Sequence, residues 1–464
     1  MRKLLLKDRR PCWDRMDDPV KAAASEYAAR YRVFLDRAKT EREGVEAVMD
    51  IARDGGFVPL VGADPRKKAD RFLWTWRGKM VALLRLGKNP AVEGFQIVAA
   101  HLDSPRLDLK PTPLYEAMGM AWLKTHYYGG IKKYQWVTTP LALHGVVIRE
   151  DGSQARISIG EEPGDPVFTV TDLLPHLSYK VQGDKRLAEA IPGEKLNILF
   201  GGLPIGTIDD GEDRVKLAIL DLMSRGFKLT EDDFVSAELE LVPAGSSRDV
   251  GLDRAFVGGY GQDDRASAFA AVDALLAMDE PEHCAMVVLF DKEEIGSEGD
   301  TGAQSRILEL LVADALRAGG ERIEGDTILR TLSRSRAISA DVTAGIDPSW
   351  ESVHDTRNDA RMGHGICLTK YTGSRGKSGA NDAHAEFVGR VRRIWDDAGV
   401  LWQAGEMGKV DEGGGGTVAK FLAALGMEVL DAGPPLLSMH SPFEIAHKAD
   451  LWMSRLAYEA FLKG

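Results

Sequence analysis

The sequence contains few cysteines. Only Cys12, Cys284 and Cys367 occur among 464 residues, and they are far apart with no CxxC spacing. This pattern predicts no disulfide framework and is typical of a protein of the reducing cytoplasm. Cys284 and Cys367 lie in apolar segments, which favours a packing role in the core over a role as nucleophiles.

An excess of basic residues and long apolar runs are also lacking. Lys and Arg number 59 against 71 Asp and Glu, which gives a formal net charge of −12. This balance disfavours a nucleic-acid surface and favours a freely diffusing enzyme. The amino-terminal cluster Leu4-Leu5-Leu6 is too short for a signal peptide, and no stretch approaches a membrane span. We therefore expect a cytoplasmic protein without nucleic-acid or membrane partners.

The HExxH motif of single-zinc peptidases is absent. Acids and a histidine instead follow three apolar runs, each of which predicts a buried strand. The junctions are 96–100 with His101 and Asp103, 284–290 with Glu293 and Glu294, and 337–340 with Asp341. Adjacent glutamates are often merely solvated. Functional groups, however, gather at the carboxyl ends of strands in open α/β sheets, so three such ends together predict a metal site.

The organisation of the chain predicts an α/β fold with a β-rich insertion. Residues 17–54 have helical periodicity and 56–100 are predicted as strands, whereas 108–248 show Pro and Gly punctuation and a hairpin signal at Asp151-Gly152. Strands and helices alternate again from 249, with helices predicted at 302–318, 383–396, 417–425 and 445–462. We therefore predict a mixed sheet flanked by helices. It is formed by the segments 1–107 and 249–464 and interrupted by the insertion 108–248.

Five phrases occur in the order found in one family of metallopeptidases. They are HLDSP (101–105), YGG (128–130), DKEEIGS (291–297), GKVDEGGGGT (408–417) and SMHS (438–441). With them the chain resembles the aspartyl aminopeptidase family of co-catalytic zinc peptidases, in its bacterial branch. The resemblance extends from about residue 95 to the carboxyl terminus. It implies a zinc aminopeptidase-like catalytic domain whose β-rich insertion serves dimerisation.

The resemblance also implies a pair of metal ions. One would be held by His101, Asp263 and Asp341. The other would be held by Asp263, Glu294 and His440, with Asp263 as the bridge. Two Zn²⁺ ions per subunit are expected, and Co²⁺ or Mn²⁺ would be able to substitute.

Two further carboxylates are assigned catalytic roles by the resemblance. Glu293 would be the general base, and Asp103 would orient the imidazole of His101. A different role remains open for the pair Asp263-Asp264, because both acids stand at the start of a predicted helix and Asp264 in particular is suited to capping it.

Four residues are candidates for substrate contact. Lys370 matches the lysine that meets an acidic substrate side chain in the family, although it would equally suit a solvated strand. Lys409 and Gly415 belong to the glycine-rich phrase, whose backbone amides either reach a substrate or form a flexible turn. Tyr134 stands where members from higher organisms place a histidine that reaches a neighbouring subunit's site.

These observations predict a metal-dependent aminopeptidase that removes amino-terminal residues from short peptides, with a preference for acidic side chains implied by the family. A related two-zinc exopeptidase or an N-acyl amino acid deacylase is the alternative enzyme. A catalytically silent assembly or cargo protein is an alternative of another class. The resemblance further implies dimers that assemble into a tetrahedral dodecamer with interior active sites.

Overall fold

The computed structural model describes residues 8–62, 69–207 and 211–464, so the Leu4–Leu6 cluster lies outside the described residues. The chain forms two compact units. The first comprises the described residues up to Asp103 together with Ser247–Met439 and Glu444–Gly464, and the second comprises Ser104–Ser246 and His440–Phe443. The domain limits 108 and 248 and the dimerisation role of the insertion stay predictions. Within the described ranges, no helix combines the length and hydropathy needed to cross a membrane.

Short strands make up much of both units. In chain order they are β1 Val58–Pro59, β2 Arg71–Trp76, β3 Met80–Arg85, β4 Phe95–His101, β5 Arg106–Ala117, β6 Met120–Tyr128, β7 Leu141–Ile148, β8 Gln154–Ile159, β9 Thr169–Val170, β10 Ile198–Gly201, β11 Ala237–Pro243, β12 Arg248–Val250, β13 Phe256–Gly259, β14 Cys284–Phe290, β15 Arg336–Ser339, β16 Thr343–Ala344, β17 Ile366–Thr369, β18 Trp402–Ala404, β19 Glu428–Gly433, β20 Pro435–Leu437 and β21 Glu444–His447.

The α-helices are concentrated in the first unit. In chain order they are α1 Asp18–Arg37, α2 Glu41–Asp54, α3 Pro175–Ser178, α4 Leu187–Ala190, α5 Arg214–Phe227, α6 Gln262–Ala277, α7 Ile307–Ala318, α8 Thr327–Arg334, α9 Ala385–Asp397, α10 Ala419–Ala424 and α11 Lys448–Lys463.

A nine-stranded sheet forms the centre of the first unit, in the order β1-β2-β3-β14-β4-β15-β19-β17-β18. Its middle strands β14, β4, β15 and β19 are parallel, and antiparallel pairs flank them, which confirms the predicted mixed sheet. Every residue of β4 and β14 is buried. Continuous apolar runs are expected there, because helices cover both faces of a parallel sheet. The register pairs Phe290 with His101 and Ser339 with Ala99, so these three strands end at the same edge.

The helical stretch predicted at 17–54 is two helices. Helix α1 ends at Arg37, and α2 starts after Thr40, whose side chain and that of Glu43 form a reciprocal capping box. Phe34 of α1 stacks on Phe269 of α6 with ring centroids 5.1 Å apart. This aromatic contact joins helix α1 to the helix whose first turn contains the site residue Asp263.

The second unit contains a seven-stranded sheet in the order β8-β7-β11-β5-β6-β10-β9. Its β7–β8 pair is antiparallel around the turn at Asp151-Gly152, which confirms the predicted hairpin. Helix α5 was not predicted, although its buried residues Val215, Ile219 and Met223 recur every four positions, as on one helical face. The frequent Pro and Gly residues of the insertion made the helical periodicity of this short segment hard to recognise.

The predicted helix at 445–462 starts later than expected. Glu444–His447 form strand β21, which pairs with β13 and β20 in a separate five-stranded sheet of the first unit. Backbone pairing to two neighbouring strands therefore overrides the helical pattern in these residues, and α11 begins at Lys448.

Candidate active site

The ends of β4 and β14 place a histidine beside a pair of glutamates. His101 is the last residue of β4, and Glu293 and Glu294 open a 3₁₀ turn after β14. Asp103 connects the two. Its Oδ1 and Oδ2 accept the backbone N–H groups of Glu293 and Glu294, each at 3.1 Å, and its Oδ1 lies 3.2 Å from His101 Nδ1. The backbone carbonyl oxygen of Asp103 also lies 3.0 Å from His101 Nδ1. One buried residue thus fixes the glutamate backbone through its carboxylate, and the imidazole through both its carboxylate and its carbonyl.

The start of α6 brings two aspartates to the same histidine. Asp263 Oδ1 lies 3.3 Å from His101 Nε2, and Asp264 Oδ2 accepts the backbone N–H of His101 at 3.3 Å. Both aspartates have non-helical backbone dihedrals, and the helix has Gly261 at its N-cap with no capping side chain. Asp264 therefore has a role beyond the helix capping considered from the sequence, because its carboxylate accepts the backbone N–H of the last residue of β4.

These residues form two groups of metal-type donors. His101, Asp263 and Glu294 make up one group, and His101, Asp264 and Asp341 make up the other, with the donor atoms of each group within 4.8 Å of one another. A mixture of imidazole nitrogen and carboxylate oxygen suits zinc and similar divalent cations. The donor chemistry therefore fits a metal centre at this edge of the sheet.

Burial and neighbouring charges raise the pKa values of three residues in this cluster. Burial raises the pKa of Asp264 well above its ordinary value, and the charge of Asp263 adds to that rise. Burial, followed by the charges of Asp264 and Asp263, likewise raises the pKa of Asp341. Burial alone would lower the pKa of His101, but its hydrogen bonds to Asp103 and Asp263 outweigh this effect and raise it well above the ordinary value.

This crowding of carboxylates is what a divalent cation would offset. Buried like charges repel one another unless protons or cations lie between them. Asp264 Oδ1 is buried and, among the described residues, has no hydrogen-bond partner. Such an oxygen can bind a cation or a proton. The residues present therefore fit a divalent metal ion.

Asp264 is the site residue that the sequence interpretation missed. Its adjacency to Asp263 was visible, but two acids at a predicted helix start match a cap equally well. The distinguishing feature is the contact of Asp264 with His101, a residue 163 positions away, and no sequence signal indicates that contact. Asp264 belongs to a donor group in the structure, whereas the resemblance assigns the bridging role to Asp263.

The other predicted site residues lie on loops of both units. His440 belongs to the second unit, where its Nδ1 lies 2.9 Å from the carbonyl oxygen of Gly130. Tyr134, in the same unit, is 42% exposed. In the first unit Lys370 is exposed after β17, Lys409 Nζ donates to the carbonyl of Ser352 at 2.5 Å, and the carbonyl of Gly415 accepts from the N–H of Gly373 at 2.5 Å. Their roles as metal ligand and substrate contacts stay predictions.

Replacing Asp103 by Asn should weaken the site without removing a metal donor. The amide keeps one acceptor oxygen, so one of the two glutamate N–H groups loses its partner and the imidazole loses a charged neighbour. Loss of such an outer contact typically reduces metal affinity or activity about 10–100-fold. We expect that reduction in zinc affinity and turnover, with Asp300→Asn as the control because Asp300 is 61% exposed on the same unit. Wild-type zinc affinity and turnover in the Asp103→Asn variant would exclude an orienting role.

Comparison with known proteins agrees with this geometry. The profile of the family described as "Aminopeptidase I zinc metalloprotease (M18)" matches residues 34–462. A probable M18 family aminopeptidase 1 of Clostridium acetobutylicum is 45% identical over 464 residues, covering 99% of each chain. The protein of the same name from Thermotoga maritima is 45% identical over 439 residues, covering 94% of this chain and 95% of the relative.

Solved structures give the same result. The crystal structure of an M18 family aminopeptidase from Thermotoga maritima matches with a TM-score of 0.93 and 43% identity, covering 99% of this chain and 100% of that chain. The mApe1 dodecamer of S. cerevisiae matches in fold alone, with a TM-score of 0.75 and 20% identity over 94% of this chain and 96% of that one. As its resemblance to the aspartyl aminopeptidases predicted, the chain belongs to the M18 family of aminopeptidases, which are zinc metalloproteases.

Proposed function

We propose that the chain removes amino-terminal residues from short peptides at a dinuclear zinc centre. His101, Asp263 and Asp341 would hold one ion, and Asp263, Glu294 and His440 the other. The observation that carries this proposal is the meeting of two donor groups that share His101, one with Asp263 and Glu294 and the other with Asp264 and Asp341. They meet where the ends of three parallel strands lie beside the start of α6. When bound, zinc polarises a peptide carbonyl and lowers the pKa of a nearby water.

Glu293 is the residue that would move the proton. Its neighbour Glu294 belongs to a donor group, whereas Glu293 belongs to neither of the two groups found among the described residues. The side chain is half-buried, and its backbone N–H is held by Asp103. A carboxylate placed beside the donors but not among them can accept a proton from the attacking water and return it to the leaving amine.

The activity should require a free α-amino group on the substrate. An aminopeptidase anchors the amino terminus, so an acetylated peptide should be cleaved at least about 100-fold more slowly than its free counterpart, because the charged group's hydrogen bonds are lost. A panel of aminoacyl anilides and N-acetylated peptides measures this ratio. Rapid cleavage of N-acyl amino acids with no cleavage of free peptides would indicate the deacylase alternative. Faster turnover of Asp and Glu anilides than of Ala and Leu anilides would support the acidic preference implied by Lys370.

The second unit offers a surface for self-association. Between residues 173 and 187 it exposes a run of large apolar side chains, namely Leu173, Leu174, Leu177, Tyr179, Val181 and Leu187. Exposed apolar side chains concentrated in one segment are typical of an interaction surface. This exposure supports pairing of chains through the insertion. The further assembly of the dimers into a tetrahedral dodecamer is proposed from the family resemblance, and a dodecamer is known for the S. cerevisiae relative.

Light scattering tests the assembly directly. We expect a mass near twelve times the chain mass of 50.7 kDa. The double substitution Leu177→Asp and Tyr179→Asp should reduce it, because charges placed in an apolar interface lose their hydration. The matched control is Leu310→Asp, at a 40% exposed position on α7 of the first unit. Full peptidase activity at the mass of one chain would contradict the assembly and leave the metal chemistry untouched.

A further inference from the structure

Asp263 is held by a residue that lies far from it in sequence. The backbone at Asp263 is extended rather than helical, with φ −82° and ψ 106°, and its N–H donates to Glu444 Oε2 at 3.1 Å. Glu444 is only 1% exposed, so this hydrogen bond is shielded from water. A hydrogen bond from an N–H to a charged carboxylate is about twice as strong as one between neutral groups.

The neighbouring residue Gln262 fixes the same turn from the other side. Its Nε2 donates to the carbonyl oxygen of Glu444 at 2.6 Å and to that of Val257 at 3.2 Å. Its Oε1 lies 3.4 Å from the hydroxyl of Tyr31. Gln262 and Tyr31 are both fully buried. Glu444 therefore contacts two consecutive residues of the turn, one through its carboxylate and the other through its carbonyl.

The position of Glu444 is itself set by a strand. It pairs with Gly259 in the antiparallel ladder between β21 and β13, and β13 ends just before the turn that carries Gln262 and Asp263. The Glu444 carboxylate therefore accepts the Asp263 N–H from strand β21. That strand is hydrogen-bonded to β13, which precedes Asp263 in the chain. Backbone pairing thereby limits how far the Asp263 carboxylate can move relative to His101.

We infer that Glu444 is a positioning residue for Asp263, assisted by Gln262, and that it sets the affinity of the centre for its metal ions. This inference rests on the proposed function, in which Asp263 bridges the ions. A bridging carboxylate must present both oxygens in one orientation, and the Glu444 hydrogen bond holds the backbone from which that carboxylate projects. Outer contacts of this kind typically contribute a factor of about 10–100 in metal affinity.

The test is zinc affinity, measured by chelator competition on the full-length protein, together with the melting temperature of the metal-stripped protein. Glu444→Ala should bind zinc about 10–100-fold more weakly than the wild type. The matched control is Asp450→Ala. Asp450 is also fully buried in the first unit, where it accepts the N–H groups of Gly363 and Gly365 at 2.7 and 2.6 Å. This control should lower the melting temperature of the stripped protein while its zinc affinity stays within about twofold of the wild type.

Wild-type zinc affinity in Glu444→Ala, or a loss no larger than that of Asp450→Ala, would overturn the inference. Should Glu444→Ala fail to fold, Glu444→Gln replaces it, because the amide oxygen still accepts the N–H but carries no charge. A loss of about fivefold is then expected, and unchanged affinity overturns the inference. Asp263→Ala distinguishes a failure of the proposed function from a failure of this inference. If that variant keeps both ions, Asp263 is not the bridge that the proposed function requires. If it loses an ion while Glu444→Ala keeps wild-type zinc affinity, only the positioning role fails.

Discussion

Glu293→Gln protein is expected to retain its metal ions while turnover falls by about two orders of magnitude or more. The amide is nearly isosteric with the carboxylate but cannot accept a proton, and general-base catalysis typically contributes a factor of about 10²–10⁴. Since the backbone N–H of Glu293 is held by Asp103, the substitution should leave the fold of the turn intact. Metal analysis and steady-state kinetics on the same preparation measure both quantities.

The adjacent residue supplies the control. Glu294 belongs to a donor group with His101 and Asp263, so Glu294→Gln should lower the occupancy of one ion as well as activity. The opposite pattern, in which Glu293→Gln loses metal and Glu294→Gln keeps it, would mean that the two glutamates have exchanged roles. Full activity in Glu293→Gln would instead favour a different base. If the wild-type protein itself shows no peptidase activity, the result would support the catalytically silent assembly protein considered from the sequence.

Asp263→Ala protein is expected to lose at least one metal ion per chain and nearly all activity. Metal ions contribute several kcal/mol of transition-state stabilisation, which corresponds to about a thousandfold or more in rate. Chelation of the wild-type protein should abolish activity to a similar degree. Asp264→Ala is the informative comparison, because Asp264 also contacts His101 and lies in the group with Asp341.

The Asp263→Ala and Asp264→Ala variants should differ in how much metal they lose. Under the proposed assignment, Asp264→Ala keeps both ions with reduced affinity, since its Oδ2 supports the backbone of His101. If Asp264→Ala loses an ion and Asp263→Ala keeps both, the bridge assigned from the family phrases is wrong and Asp264 takes its place. Metal content per chain therefore decides between neighbours that kinetics alone would not separate.

Much of the site was predictable because it follows from strand ends. The apolar runs that became β4, β14 and β15 are buried on both faces, and such runs are visible in a sequence without knowledge of the fold. Their parallel pairing then brings His101, Glu294 and Asp341 to the same edge of the sheet. The hairpin at Asp151-Gly152 was equally local, because its turn chemistry lies between two alternating strands.

The features that were missed depend on contacts between distant segments. Asp264 contacts His101 where the backbone turns between β13 and the regular part of α6, and hydrogen bonds from Gln262 to Val257 and Glu444 hold that turn. The helix predicted at 445–462 begins directly after Glu444, yet Glu444 and the three residues that follow form a strand because β13 and β20 pair with this segment. Residues separated by some 180 positions, as Asp263 and Glu444 are, cannot be matched from one sequence alone.

The most direct test of the metal centre is a crystal structure of the zinc-loaded protein with anomalous data at the zinc edge. We predict two peaks per chain that share Asp263, with His101 and Asp341 at one ion and Glu294 and His440 at the other. A single peak, a pair of ions bridged by Asp264, or zinc bound away from His101 would contradict it.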